Sequence, residues 1–167
     1  MGAGKSTVGR MVASRLGWPF QDNDEQLARR EGRSAEQIAS QDGVTRLHEL
    51  EAEILLENLE RHGPDVVAAA ASTVLDPRAR ARLRADAFVF WLRTAPGALD
   101  TRLAHPGDRP SFGGSPAQLA RSLQADRSDL YRAVADREVD TTTRPPEQVV
   151  ASILAELSGS PETGCGH

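Results

Sequence analysis

Met1-Gly2-Ala3-Gly4-Lys5-Ser6-Thr7 decides the fold, because Gly-Lys-Ser/Thr is the closing half of a phosphate-binding loop. In that pattern loop N–H groups take phosphate oxygens, the lysine ammonium meets the β- and γ-phosphates, and the hydroxyl meets Mg²⁺. Gly2, Ala3, Gly4, Lys5, Ser6 and Thr7 are therefore the candidate ATP-binding residues, and Ser6 is a candidate metal ligand. A chance Gly-Ala-Gly-Lys-Ser string in a disordered terminus is the alternative. Against it, Val8, Met11, Val12 and Leu16 recur on one face directly after the lysine and stop at Gly17, the pattern of an amphipathic helix. A helix N-terminus at that point adds unpaired N–H groups and the positive end of a dipole.

The opening half of the motif would place a glycine two positions before Met1 and a buried strand before that. A strand buried on both faces and bonded on both edges would, if absent, leave two unpaired ladders. The expectation is a product that begins about ten residues earlier, with Met1 inside the loop. A chain that starts at Met1 would be weakly stable and bind ATP poorly.

Outward from the loop, apolar runs alternate with helical patterns, which predicts a parallel α/β sheet. Strands are expected at Pro19-Phe20-Gln21, ending in Asp22-Asn23-Asp24, then at Val66 to Ala71, Ala87 to Leu92 and Glu138-Val139-Asp140. Helices are marked by Leu47, Leu50, Ile54 and Leu59, by Leu119, Leu123, Leu130 and Val134, and by Val149, Val150, Ile153 and Leu157. Trp18 and Trp91 read as core or strand-flanking residues. The segment 105–116 holds three glycines and three prolines around Asp108 and Arg109, the composition of a lid.

Ligands of open α/β sheets bind beyond the carboxyl ends of the strands, where Asp22 and Asp24 fall. One carboxylate could hold Mg²⁺ through water and the other accept a proton from an attacking alcohol. The competing reading is that Asp-Asn-Asp only caps a helix beginning near Glu25.

With 167 residues the chain is one domain, residues 1–157, with a disordered Ser/Gly/Pro-rich tail over 158–167. A formal charge of -4 gives no basic surplus and argues against a nucleic-acid partner. No run is long enough to span a membrane and no signal peptide opens the chain, so a cytoplasmic protein is expected. Cys165 is the single cysteine, which excludes a disulfide framework.

In order and spacing these blocks resemble the shikimate kinase family, from Met1 to about Leu157. The blocks are the loop, Gln21-Asp22-Asn23-Asp24, Gly32-Arg33-Ser34 with Ile38 and Asp42-Gly43, Glu51, Asp108-Arg109-Pro110, Arg127 with Leu130-Tyr131, and Val139-Asp140-Thr141. The resemblance implies a three-layer P-loop kinase fold, a parallel sheet flanked by helices and a lid, here lacking its first, central strand. It also implies ATP- and Mg²⁺-dependent phosphorylation of shikimate to shikimate 3-phosphate, a step of aromatic amino acid biosynthesis, by a monomer. Residue by residue, Lys5 becomes the phosphate lysine, Ser6 and Asp22 the metal residues, and Asp24 the substrate-holding base. Arg109 becomes the lid cation on the transferring phosphoryl, and Arg127 the grip on the substrate carboxylate. Arg144 would lie beside adenine, with a solvated surface position as the open alternative.

Two blocks depart from the family. Ala70-Ala71-Ser72 stands where the family has three glycines, and His48 where it has an arginine that reads the shikimate carboxylate. His48, Ala70 and Ala71 are thus substrate-pocket candidates, with a helix-flank histidine and a packed core strand as the alternatives. Two further functions stay open: a diverged paralogue phosphorylating another small hydroxylated metabolite, and a non-catalytic nucleotide-binding protein.

Overall fold

The computed structural model describes residues 4–95 and 127–159. The chain alternates helix and strand: α1 (Lys5–Leu16), β1 (Phe20–Asp22), α2 (Asn23–Glu31), α3 (Ala35–Gln41), α4 (Val44–Leu59) and β2 (Val66–Ala68). A single 3-10 turn, Thr73–Leu75, precedes α5 (Pro77–Asp86) and β3 (Phe90–Arg93). Then come α6 (127–134), β4 (Arg137–Asp140) and α7 (Pro146–Gly159).

Local signals start and stop most of these helices. Gly17 ends α1 at the predicted place, its N–H donating to the Ala13 carbonyl. Asp22 caps α2, Ser34 and Gln37 form a reciprocal capping box on α3, and Asp76 with Pro77 opens α5. Helix α3 and helix α5 were not expected. The sequence Pro-Arg-Ala-Arg-Ala-Arg-Leu-Arg-Ala-Asp has only Leu83 as a large apolar residue, and α5 buries it with Ala79 alone. The last helix runs on to Gly159, two residues into the stretch read as tail.

All pairing is parallel. β1 lies beside β2 with Phe20 opposite Val66 and Asp22 opposite Ala68, and β3 lies beside β4 with Phe90 opposite Arg137 and Arg93 opposite Asp140. The pairs form two separate two-stranded sheets, since β2 and β3 are not bonded to each other. The expected strand at Val66 to Ala71 is shorter, because after Ala68 the chain turns into the 3-10 segment, where the Ala70 carbonyl accepts from the Thr73 N–H and hydroxyl. The third strand starts later than predicted, at Phe90, since Ala87 still closes α5 through its N–H to the Leu83 carbonyl.

Helices cover both faces. On one, α1 and α7 pack through Val8, Val12, Val149, Val150 and Ile153, with Val139 of β4 beneath them. On the other, Leu55 of α4, Ala79 and Leu83 of α5, and Val134 of α6 form a second cluster. A third joins Leu27, Ile38, Leu50 and Ile54 and fixes α2 and α3 against α4. Burying a side chain of this size stabilises by about 1.5–3 kcal/mol, so the three clusters carry the scaffold that aims the strand ends.

Candidate active site

The carboxyl ends of the strands carry the polar residues. Gly4 sits at φ 83°, a left-handed conformation suited to glycine, and turns the chain into α1 so that its first N–H groups face outward. Lys5 follows, half-buried, with Ser6 and Thr7 exposed on the first turn of α1. Gly2, Ala3, Arg109 and the expected lid over 105–116 lie outside the described residues.

Asp22 ends β1 and is 5% exposed. Its Oδ1 accepts from the N–H of Asp24 at 3.0 Å and of Glu25 at 3.4 Å. The capping alternative therefore holds in geometry, yet it uses one carboxylate oxygen. A hydroxyl at Ser6 and a second carboxylate oxygen at Asp22 are the hard oxygen donors that Mg²⁺ takes, one or two from protein and the rest from water and phosphate. The donor set fits that ion, and among the described residues no cluster of three or more histidine, cysteine or acidic side chains competes for it.

Asp24, exposed on the first turn of α2, belongs to a group of charges around Glu51 of α4. Glu51 is 7% exposed and accepts a hydrogen bond from the Ser72 hydroxyl. Burial pushes its carboxyl above the usual range; the Ser72 hydrogen bond opposes this, Asp24 adds to it, and Arg127 and Lys5 pull it back. Lys5, Asp24, Glu51, Ser72 and Arg127 thus share one electrostatic neighbourhood, although they come from five segments of the chain.

Arg127 is 8% exposed and donates to the Ala71 carbonyl at 3.3 Å. Tyr131, one turn on, donates to the same carbonyl at 2.8 Å, and burial pushes its hydroxyl pKa up. His48 stands half-buried on α4, its pKa lowered first by burial and then by the Arg127 cation. His48 thus sits on the flank of α4, within electrostatic reach of Arg127. Ala70 is buried and Ala71 half-buried, and their carbonyls tie the segment after β2 to Thr73 and to Arg127 with Tyr131. Arg144 lies apart from this group: it donates to the Gln148 carbonyl and the Ser152 hydroxyl of α7, beyond the end of β4.

Four side chains escaped the sequence reading as working groups. Tyr131 and the Glu51–Ser72 pair had only their motif position to mark them. Asn23 is fully buried, and its amide nitrogen donates to the Glu51 carbonyl oxygen at 3.0 Å, 28 residues away in sequence, so no local pattern could reveal it. Asn23 Oδ1 remains buried with no hydrogen-bond partner.

Comparison with known proteins points to one family. The shikimate kinase family model matches residues 1–158. A shikimate kinase of Xanthomonas euvesicatoria pv. vesicatoria is 36% identical over 159 residues, 95% of this chain and 88% of that protein. One from Pseudomonas syringae pv. tomato is also 36% identical, over 96% of this chain and 94% of its own length. Among solved structures, the Acinetobacter baumannii shikimate kinase in complex with shikimate superposes with a TM-score of 0.83 at 28% identity, covering 97% of this chain and 91% of that one.

Proposed function

The chain belongs to the shikimate kinase family, and from that premise we propose that it transfers the γ-phosphoryl of ATP to a hydroxyl of shikimate, giving shikimate 3-phosphate. The observation that carries this reading is the gathering of Lys5, Asp24, His48, Glu51 and Arg127 where the phosphate loop meets the strand ends. Phosphoryl transfer asks chiefly for positioning and for charge to meet the transferring group.

Gly2, Ala3, Gly4 and Thr7 hold the phosphates with Lys5, whose ammonium meets the β- and γ-oxygens. Ser6 and, through water, Asp22 would hold Mg²⁺, which would supply charge neutralisation for the phosphates when bound. Asp24 holds the acceptor hydroxyl and takes its proton. Arg127 grips the substrate carboxylate, with His48 beside it, and Ala70 and Ala71 form the wall against which the ring lies. Arg109 supplies positive charge for the transferring phosphoryl, and Arg144 serves the adenine. Among the described residues no helix is long and apolar enough to cross a membrane.

The test is ATP consumption with shikimate against a panel of polyols, sugars and hydroxy acids, with the product identified by mass. Shikimate-dependent ADP release with a phosphorylated product supports the assignment. Turnover confined to another alcohol would move it to a diverged kinase, the reading favoured by His48 and by Ser72 beside Glu51.

A further inference from the structure

Arg127 and Tyr131 are one helical turn apart on α6 and stand on the same face of it. Both reach one atom on a distant segment, the Ala71 carbonyl oxygen: Tyr131 donates its hydroxyl at 2.8 Å and Arg127 its Nη1 at 3.3 Å. A carbonyl oxygen has two lone pairs, so the two donors fill it. A hydrogen bond between the two side chains closes the triangle, and it pulls the Tyr131 pKa back against the rise that burial causes. Phosphoryl transfer as set out above makes no use of this largely buried hydroxyl.

The acceptor is itself held. Before it the Ala70 carbonyl accepts from the Thr73 N–H and hydroxyl, and after it the Ser72 carbonyl accepts from the Leu75 N–H while the Ser72 hydroxyl donates to Glu51 of α4. Tyr131 is held too. Its ring centroid lies 5.5 Å from that of Trp91 on β3. Helix α6 is secured beyond it by Val134 in the second core cluster and by Arg84, whose Nε donates to the Ala133 carbonyl. The short Tyr131 bond therefore joins two fixed parts, whereas Arg127 has a long, rotamer-rich side chain and a contact at the long end of the hydrogen-bond range. A guanidinium that must meet a carboxylate with two parallel N–H groups binds best when its plane is set beforehand.

We propose, resting on the kinase reading above, that Tyr131 is a positioning residue for Arg127. Its hydroxyl occupies one lone pair of the Ala71 carbonyl and restrains the guanidinium against the other. One Arg127 N–H is thus committed to the protein, and the rest of the fork meets the acceptor carboxylate already oriented. Tyr131 acts through Arg127 and not on the substrate.

Tyr131→Phe removes the hydroxyl and keeps the ring against Trp91, so it tests this directly. The acceptors compared are shikimate and its carboxamide, which offers Arg127 no carboxylate. The KM for shikimate should rise about three- to tenfold, the worth of one hydrogen bond. The kcat should move less, and the KM values for ATP and for the carboxamide should stay within about twofold of the parent. A second readout needs no substrate: rotation of the Arg127 guanidinium about its Cζ–Nε bond, followed by nitrogen NMR and assigned by the signal missing from Arg127→Lys, should quicken in Tyr131→Phe. An unchanged rotation rate or a shikimate KM within about twofold of the parent would overturn the proposal. So would an equal rise for both acceptors, since the hydroxyl would then only brace α6. A parent protein that leaves shikimate unphosphorylated would instead strike the kinase assignment, and the rotation rate would still decide whether Tyr131 restrains Arg127.

Discussion

Replacing Ser72 by alanine isolates one hydrogen bond to a buried carboxylate. Ser72 is 5% exposed and Glu51 7%, so water has little access to substitute for the lost hydroxyl. A hydrogen bond to a charged group is worth about 1.5–3 kcal/mol. The hydroxyl favours the ionised carboxyl over the neutral one, so its loss should lift the Glu51 pKa further. Burial already raises that pKa and the Ser72 hydroxyl restrains it. A carboxyl whose folded-state pKa lies above its unfolded value favours folding fully below the unfolded pKa and loses that contribution as pH rises through the folded one. Ser72→Ala moves the folded value up, so its penalty must be largest where Glu51 is ionised and smallest where it is protonated. Urea unfolding at pH 8 should show a loss of about 1.5–3 kcal/mol, and a smaller loss at about pH 4, below the ordinary glutamate value, where a neutral carboxyl forfeits only an ordinary hydrogen bond. An equal loss at both values would refute the argument, for the hydroxyl would then act through packing alone. So would a loss at pH 8 below about 0.5 kcal/mol.

Asp24→Asn, at an exposed site on the first turn of α2, should lower kcat about 10²- to 10⁴-fold with an unchanged thermal midpoint; full activity would remove Asp24 as the base. Arg127→Lys keeps the charge but loses the planar fork, and should raise the KM for shikimate about tenfold or more while kcat falls less. A KM within twofold of the parent would take the carboxylate away from Arg127. His48 has a lowered pKa from burial and from Arg127, so its contribution to stability is present above about pH 6.5 and is lost as pH falls through the folded value. Below that point the imidazolium joins Arg127, and the KM for shikimate should improve as pH drops, an improvement that His48→Gln abolishes in steady-state assays. Gly9→Ala puts a Cβ 2.7 Å from the edge of the Phe20 ring; because the half-buried ring can swing, the cost should stay near 1 kcal/mol, a midpoint about 3 °C lower by calorimetry.

The readability of this chain tracks how local each signal is. Lys5, Gly17 and the stripe of Val8 and Val12 announce α1 within a dozen residues, and α1 runs Lys5–Leu16 as expected. Helix α5 was silent for the opposite reason: its alternating arginines and alanines carry little apolar periodicity, and its seat is fixed by Ala79 packing with Leu55 and Val134, far away in sequence. The site divides along the same line. Asp22 and Asp24 are visible because they follow a strand pattern, whereas the Ser72 hydrogen bond to Glu51 and the Asn23 bond to the Glu51 carbonyl span 21 and 28 residues and have no spacing to read.

The run from Val66 to Ala71 shows what an apolar pattern encodes. Six consecutive apolar residues read as a strand buried on both faces and bonded on both edges. Among the described residues only Val66–Ala68 pair, and on one edge alone, against β1. The pattern on Phe90, Trp91 and Leu92 makes the same demand of β3, which is answered only by β4. Hydrophobicity thus reports the environment a segment is suited to, while ladder pairing reports the neighbours it has. Where the two disagree, as at Ala70, the burial survives although the strand has already given way to the turn whose Ala70 carbonyl accepts from the Thr73 N–H.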